Sequence, residues 1–212
     1  MNAIPIDGRV ARGERTRQAV VDALLSLYSE DNLTPTIDDI AGRVGMTART
    51  IYHHFDDHDA IAEALTEHQR QQLAHLTKLE LSGTLAERID SVVAQRAELF
   101  ETVAPVRRAA LANMHASPRI RKGQGNLAAG LRRQLTQTFE PELSALDPST
   151  KTETIELLDL HTSWDTWERL RRWQRLSVPR SRKLVTRLVT QTLDTQALDT
   201  QSLDTLNNGV PE

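Results

Sequence analysis

The sequence predicts an all-α protein, and three observations carry that prediction. Apolar residues recur at i, i+3, i+4 and i+7 in nearly every long segment, which is the spacing of one buried helix face. No convincing segment alternates apolar and polar residues as a half-buried strand does. Proline, glycine and polar clusters divide the chain into about nine helix-length pieces.

The elements follow in order. Residues 1–11 read as a flexible arm. A helix from about Glu14 to Ser29 has Val20, Ala23, Leu24, Leu27 and Tyr28 as its apolar face. In the next, Ile37, Ile40, Ala41 and Val44 form one stripe; Thr36 is placed as its N-cap, with Asp38 and Asp39 in the first turn where the helix dipole favours negative charge. Gly45 supplies the backbone freedom of a sharp turn, and Thr47 caps a third helix with Ala48, Ile51 and Phe55 inward. Arg49, Thr50, Tyr52 and His53 are left pointing outward, all hydrogen-bond donors. That is the layout of a helix-turn-helix whose last helix enters the DNA major groove.

Beyond it, a helix starting near Asp57 carries Ile61, Leu65, Leu73, Leu76 and Leu79, and another over about 84–103 carries Leu85, Ile89, Val92, Leu99 and Val103. Pro105 is suited to open a short helix, since proline is tolerated at the first helical position. After Pro118, Leu127, Leu131, Leu135 and Phe139 anchor the next, and Pro141 and Pro148 bracket a loop. Helices are predicted over about 150–175 and 179–193. The tail repeats Leu-Asp-Thr with a period of five from Leu193 to Thr205, which builds no continuous buried stripe on a helix or strand. Four divisions result: the arm 1–11, a three-helix head 12–60, a larger helical body 61–195 and a low-complexity tail 196–212, to which no role is assigned.

The run Thr36…Ile40-Ala41…Val44-Gly45-Met46-Thr47…Thr50-Ile51-Tyr52-His53-His54-Phe55 closely resembles the N-terminal domain of the tetracycline-repressor (TetR) family of bacterial transcription regulators. The match covers roughly residues 12–65, about a quarter of the chain, and its most specific part is Ile51-Tyr52-x-His54-Phe55 at this distance after Ile40-Ala41. The resemblance implies a ligand-responsive repressor that binds a palindromic double-stranded operator as a homodimer. It also implies that the last two helices pair with their mates in a four-helix bundle, and that a small-molecule pocket lies among helices four to eight.

Site residues follow from chemistry and resemblance together. Arg49 is the best candidate for a base edge, because guanidinium bonds guanine O6 and N7 bidentately. Tyr52 and His53 are candidates for phosphates, as in relatives; Thr47 and Thr50 lie beside them. Thr36, at a helix N-terminus, has a hydroxyl and an amide to offer a phosphate. For Arg12, Arg15 and Arg17, contacts to the DNA backbone or minor groove compete with plain solvation. Relatives usually carry a lysine three residues after the phenylalanine, where it meets a phosphate; here His58 stands there, flanked by Asp56, Asp57 and Asp59.

Charge works against DNA. The net charge is −3, and residues 1–59 carry six arginines against ten acids. Because phosphate contacts supply much of DNA affinity, modest, salt-sensitive non-specific binding is expected. A helical ligand-binding protein with weak or lost DNA binding is therefore the alternative. A third reading takes His54 and His58 at i, i+4, with His58-Asp59, as part of an HD-type metal-dependent hydrolase. The family pattern already accounts for His54, and no further ligand set is found, so no catalytic residue, metal or cofactor is expected. The absence of cysteine excludes disulfides and thiolate metal sites. With no run of ~18 apolar residues and no signal-peptide core, a soluble cytoplasmic protein away from membranes is expected.

In the body, His161, Thr162, Trp164 and Asp165, with Arg107 from a segment (102–139) rich in basic residues, are candidates for the effector pocket. The ordinary reading of that basic segment is a solvated surface; the sharper one is an anionic effector. Leu157, Leu160, Trp167, Leu184, Val185, Leu188 and Val189 are the candidates for the dimer face.

Overall fold

The structure, a computed structural model, describes residues 8–77, 82–115 and 117–207. The described residues form helices and connecting turns, with no strand. In order these are α1 (Gly8–Ser29), α2 (Ile37–Val44), α3 (Ala48–His54), α4 (His58–Gln72), a 3-10 turn (Ala74–Thr77), α5 (Leu85–Asn113), α6 (Pro118–Thr138) and α7 (Glu140–Leu143). There follow α8 (Pro148–His161), α9 (Trp164–Glu168), a π-helical turn (Arg169–Trp173) and α10 (Val178–Asn207). The chain divides into two compact units. The first takes residues up to His75 together with Val103–Lys122, and the second takes Leu76–Thr102 and the chain from Gly123 onward. The first unit is thus larger than the 12–60 head.

The first unit is built on one apolar cluster. Val20, Val21, Ala23, Leu24, Leu27 and Tyr28 of α1 meet Ile40 and Ala41 of α2, Ile51 of α3, Phe55, and Ile61 and Leu65 of α4, with Ala109 of α5 joining them. The one-sided stripe on each helix leaves this as the arrangement that buries all of them. Burial pushes the Tyr28 hydroxyl up to about 12, so it stays neutral throughout the physiological range. Asn113 ties α5 to the loop after α1 by donating to the Leu33 carbonyl at 2.9 Å. At the N-terminus α1 begins at Gly8, so the last part of the expected arm is helical; residues 1–7 lie outside the described residues.

In the second unit α8 packs along α10. Ile89, Val92, Val93, Leu99 and Phe100 of α5 are buried, as are Leu135, Phe139, Leu143, Leu158, Trp164, Trp167, Leu170, Val185, Val189 and Leu193. Phe100 meets Trp164 edge to face at 5.7 Å between centroids. Two arginines are buried as well, Arg88 and Arg96.

Several boundaries depart from the sequence expectation. α4 ends at Gln72, so Leu73 and Leu76 lie beyond it, and α7 takes up part of the loop expected between Pro141 and Pro148. Pro105 opens no helix; it lies inside α5. Its missing N–H costs one bond, to the Glu101 carbonyl, and the flanking turns outweigh that loss. The segment predicted as one helix over 150–175 breaks after His161, because Ser163 caps a new helix by accepting from the Thr166 amide at 3.2 Å. Finally, α10 continues through the five-residue repeat to Asn207. Leucine, glutamine and alanine favour the continuation of a helix already nucleated. Leu79 and residues 208–212 of the tail lie outside the described residues.

Candidate nucleic-acid interface

α2 and α3 are joined by Gly45, Met46 and Thr47. Gly45 sits at φ 68°, ψ 32°, the left-handed region that glycine enters without penalty. The Met46 amide then closes onto the Ala41 carbonyl at 2.9 Å, which reverses the chain within one turn. Thr47 starts α3 at once: its Oγ1 accepts from the Thr50 amide at 3.2 Å and shares a hydrogen bond with the Thr50 hydroxyl at 2.9 Å. Ile51 is fully buried and Phe55 nearly so. The orientation of α3 is therefore set by its inner face, and its outer face is free to recognise something.

That outer face is the predicted one. Arg49, Tyr52 and His53 are exposed, Thr50 is half-buried, and the four side chains line one open concavity of about 480 Å³. Tyr52 is 54% exposed, unusual for a large aromatic without a partner on the surface. Arg12 and Arg15 are exposed on the first turns of α1.

Other predicted contacts have protein partners. Arg17 donates from Nη1 to the His54 carbonyl at 2.5 Å and lies 4.5 Å over the Phe55 ring. It clamps the C-terminal end of α3 to α1 by a charge-assisted hydrogen bond and a cation–π contact. At Thr36 both donors go to Asp39: the amide and the hydroxyl each meet Oδ2 at 2.8 Å, while Asp39 N–H returns to Thr36 Oγ1 at 3.2 Å. This is a capping box with aspartate in the third position. These Thr36 hydrogen bonds, backbone first, hold the Asp39 carboxyl below its ordinary value. A phosphate arriving at this N-terminus would compete with a carboxylate already there. His58, the first residue of α4, shares a hydrogen bond between Nε2 and the Pro35 carbonyl at 3.1 Å. Asp57 caps α4 through the Ala60 amide at 2.8 Å. Arg43, also in the head, forms a bidentate pair with Glu30, both contacts at 2.6 Å. Among the described residues no group of three or more His, Cys, Asp or Glu is placed to hold a metal ion.

The candidates in the body are more dispersed. Arg107 belongs to the first unit, and His161, Thr162, Trp164 and Asp165 to the second. Thr162 is buried with its hydroxyl on the Leu158 carbonyl at 2.8 Å, and Asp165 is exposed. Burial lowers the pKa of His161, whose Nδ1 meets the Thr192 hydroxyl at 3.2 Å. Of the dimer-face candidates, Trp167, Val185 and Val189 are buried within the chain. Leu157, Leu184 and Leu188 are half-buried, and Leu160 is 58% exposed.

Sequence reasoning missed Arg88 and Arg96. For Arg96 a signal existed: Ile89, Val92, Leu99 and Val103 form a stripe whose missing member is position 96.

These features define an all-α chain with a helix-turn-helix head and a helical body. Residues 20–65 match the family described as bacterial regulatory proteins, tetR family. A crystal structure of a tetR-family transcriptional regulator from Streptomyces coelicolor superposes with a TM-score of 0.62 at 17% identity, covering 92% of this chain and 84% of that one. A putative tetR-family transcriptional regulator from Mesorhizobium loti MAFF303099 gives 0.59 at 13% identity, covering 87% of this chain and 98% of that one. At such identities the likeness is one of fold. A search of curated proteins finds no significant match. The chain is thus similar over residues 20–65 to the tetR family of bacterial regulatory proteins, and it shares the fold of two solved structures described as tetR-family regulators. No helix among the described residues is long and apolar enough to cross a membrane.

Proposed function

We propose that the chain is a homodimeric transcriptional repressor that binds a palindromic operator and is released by a small-molecule effector. The observation that carries this reading is the shared exposed face of Arg49, Thr50, Tyr52 and His53 on a helix fixed from behind by Ile51 and Phe55. Arg49 reads a base edge; Tyr52, His53 and the hydroxyls of Thr47 and Thr50 hold the backbone; Arg12 and Arg15 add charge from α1. In a dimer the two α3 helices enter successive major grooves roughly 34–36 Å apart. The effector binds a body conformation incompatible with that spacing, and lowers operator affinity by its differential affinity for the two states.

The test is selection of bound sites from random duplex DNA at two salt concentrations. A palindrome with half-sites one or two helical turns apart is the expected result; no enrichment even at low salt refutes it. Arg49→Ala is expected to cost about 1–3 kcal/mol of base discrimination, roughly 5–150-fold, with the dimer intact by gel filtration. An unchanged sequence preference would remove Arg49 as the base reader.

One observation favours a second reading, a ligand-binding module with little DNA affinity. Asp56, Asp57 and Asp59 surround His58, whose Nε2 is occupied by the Pro35 carbonyl where relatives offer a lysine to phosphate. Absence of any selected site would favour that module.

A further inference from the structure

Arg88 and Arg96 lie two turns apart on α5, and both are buried. Arg88 is neutralised in the ordinary way. It meets Glu142 bidentately at 2.9 and 2.5 Å and gives a further bond to the Thr138 carbonyl at 2.6 Å. Arg96 is the more deeply buried, 1% exposed, yet its hydrogen-bond partners are all neutral. Nη1 donates to the Gln95 and Gln134 side-chain oxygens, the latter at 2.9 Å, and Nη2 donates to the Leu131 carbonyl at 2.9 Å. Its Nε, also buried, donates to nothing. Burial lowers its pKa to about 10, still well above neutrality, so the charge remains. The carboxylate whose field reaches Arg96 is Asp159, and that group pairs with Arg132 at 3.4 Å. Two guanidinium groups thus share one carboxylate, leaving a cluster of net charge +1.

Buried donors without acceptors, and buried charge without a counter-ion, are costly enough to require an explanation. We propose that Arg96 is the receptor for the carboxylate group of an anionic effector, admitted when α6 moves off it. The inference rests on the reading of the chain as an effector-controlled regulator, and supplies the effector's chemical class. The planar fork formed by Nε and Nη2 matches a carboxylate, whose single charge brings the cluster to neutrality. A phosphate dianion would overshoot it.

Access follows from the composition of α6, which supplies both Leu131 and Gln134. Gly123, Gly125 and Gly130 interrupt this helix, and the first two have nothing within 4 Å of where a side chain would begin. Packing does not require glycine there. Each costs a helix interior roughly 1 kcal/mol relative to alanine. From Gly123 to Ala129 every residue but Gln124 is exposed. The segment leading to Leu131 and Gln134 is therefore weakly held, as an opening segment must be.

The experiment uses the full chain. Its melting is followed with sodium acetate, butyrate, octanoate and benzoate, against sodium chloride and sodium phosphate at matched ionic strength. At least one carboxylate should raise Tm, by roughly 5–10 °C at a hundredfold excess over Kd. Arg96→Met should abolish that rise. No carboxylate effect in the wild-type chain, or an equal rise in Arg96→Met, overturns the proposal, and a rise with phosphate alone assigns the site to a different anion. Should Arg96→Met yield no folded protein, Arg96→Lys carries the test by calorimetry. It keeps the charge and loses the fork, so the carboxylate Kd should weaken at least tenfold; an unchanged Kd refutes the assignment. Binding that leaves operator affinity unaltered keeps the anion site and removes the effector reading. Lack of binding removes the anion site alone.

Discussion

The two compact units differ in where they keep their polar chemistry. The first buries Gln69 and Ser117 but, among the described residues, no whole charged side chain; its arginines are exposed or half-buried, Arg107 with its Nε inside. The second buries Arg88, Gln95, Arg96 and a set of threonines. A unit that recognises a large external partner needs a rigid apolar scaffold and an exposed donor face. On the proposed function the second unit receives a small molecule, and such a unit has reason to hold polar groups inside, even at a cost in stability. Within the second unit the same difference recurs between Arg88, which is hydrogen-bonded to its carboxylate, and Arg96, which is hydrogen-bonded to none.

Arg88→Met tests that contrast with the largest expected effect. It leaves Glu142 without its partner, though partly hydrated at 26% exposure. The expected loss is about 3 kcal/mol, the lower end for breaking a buried pair. Arg96→Met removes a charge that lacks a contacting anion and adds apolar volume, so its loss should be clearly smaller. Urea denaturation of both variants decides it: equal losses would mean that Arg96 is as well compensated as Arg88.

Arg17→Met probes the first unit and should cost about 1–2 kcal/mol, for one charge-assisted hydrogen bond and one cation–π contact. Because Arg17 holds α3 through the His54 carbonyl, DNA affinity should fall for all sequences alike. The salt dependence separates the two roles of this residue. If Arg17 only positions α3, the slope of log affinity against log salt stays unchanged; if it contacts a phosphate, the slope drops by about 1.

Gly45→Ala comes next in size. At φ 68° an alanine is strained, but nothing lies within 4 Å of the new methyl group, so only backbone strain is added. The expected cost is roughly 1 kcal/mol, read as a lowered Tm of the head with specificity retained. A much larger loss would mean that the turn itself had rearranged.

These residues also mark what was legible in advance. The head was readable because its signals are local: Thr36 before a stripe, Gly45 after it, Thr47 three residues before Thr50, Ile51 one turn from Phe55. Each acts within four residues, where helix geometry alone decides the contact. The role of Arg17 depends on a carbonyl 37 residues away, and no local pattern encodes that. Position 36 was half legible. Its cap was evident, but the same spacing lets Asp39 take both donors that a phosphate would use. In the body, Pro105 and the serine cap at 163 were each read by the commoner rule, and neighbouring turns decided otherwise. Arg96 interrupts an apolar stripe, and its burial depends on Leu131 and Gln134 of another helix.

The smallest effect concerns Asp39, and its sign follows from the capping box. The folded-state carboxyl titrates below its ordinary 3.8 because the Thr36 amide and hydroxyl both donate to it. A depressed folded pKa stabilises the head above the unfolded value and ceases to do so as pH falls through the lower, folded one. Head stability should therefore be insensitive to Asp39 ionisation from neutrality down to about pH 4, then decline. Asp39→Asn retains an acceptor but no charge, so it should flatten that decline while weakening the cap at neutral pH. It should also remove the carboxylate that competes for an arriving phosphate. Tighter non-specific DNA binding by Asp39→Asn, with a less stable head, would show the acid at this N-terminus opposing phosphate contact. Unchanged binding would place Thr36 outside the interface, leaving the exposed face of α3 as the recognition surface.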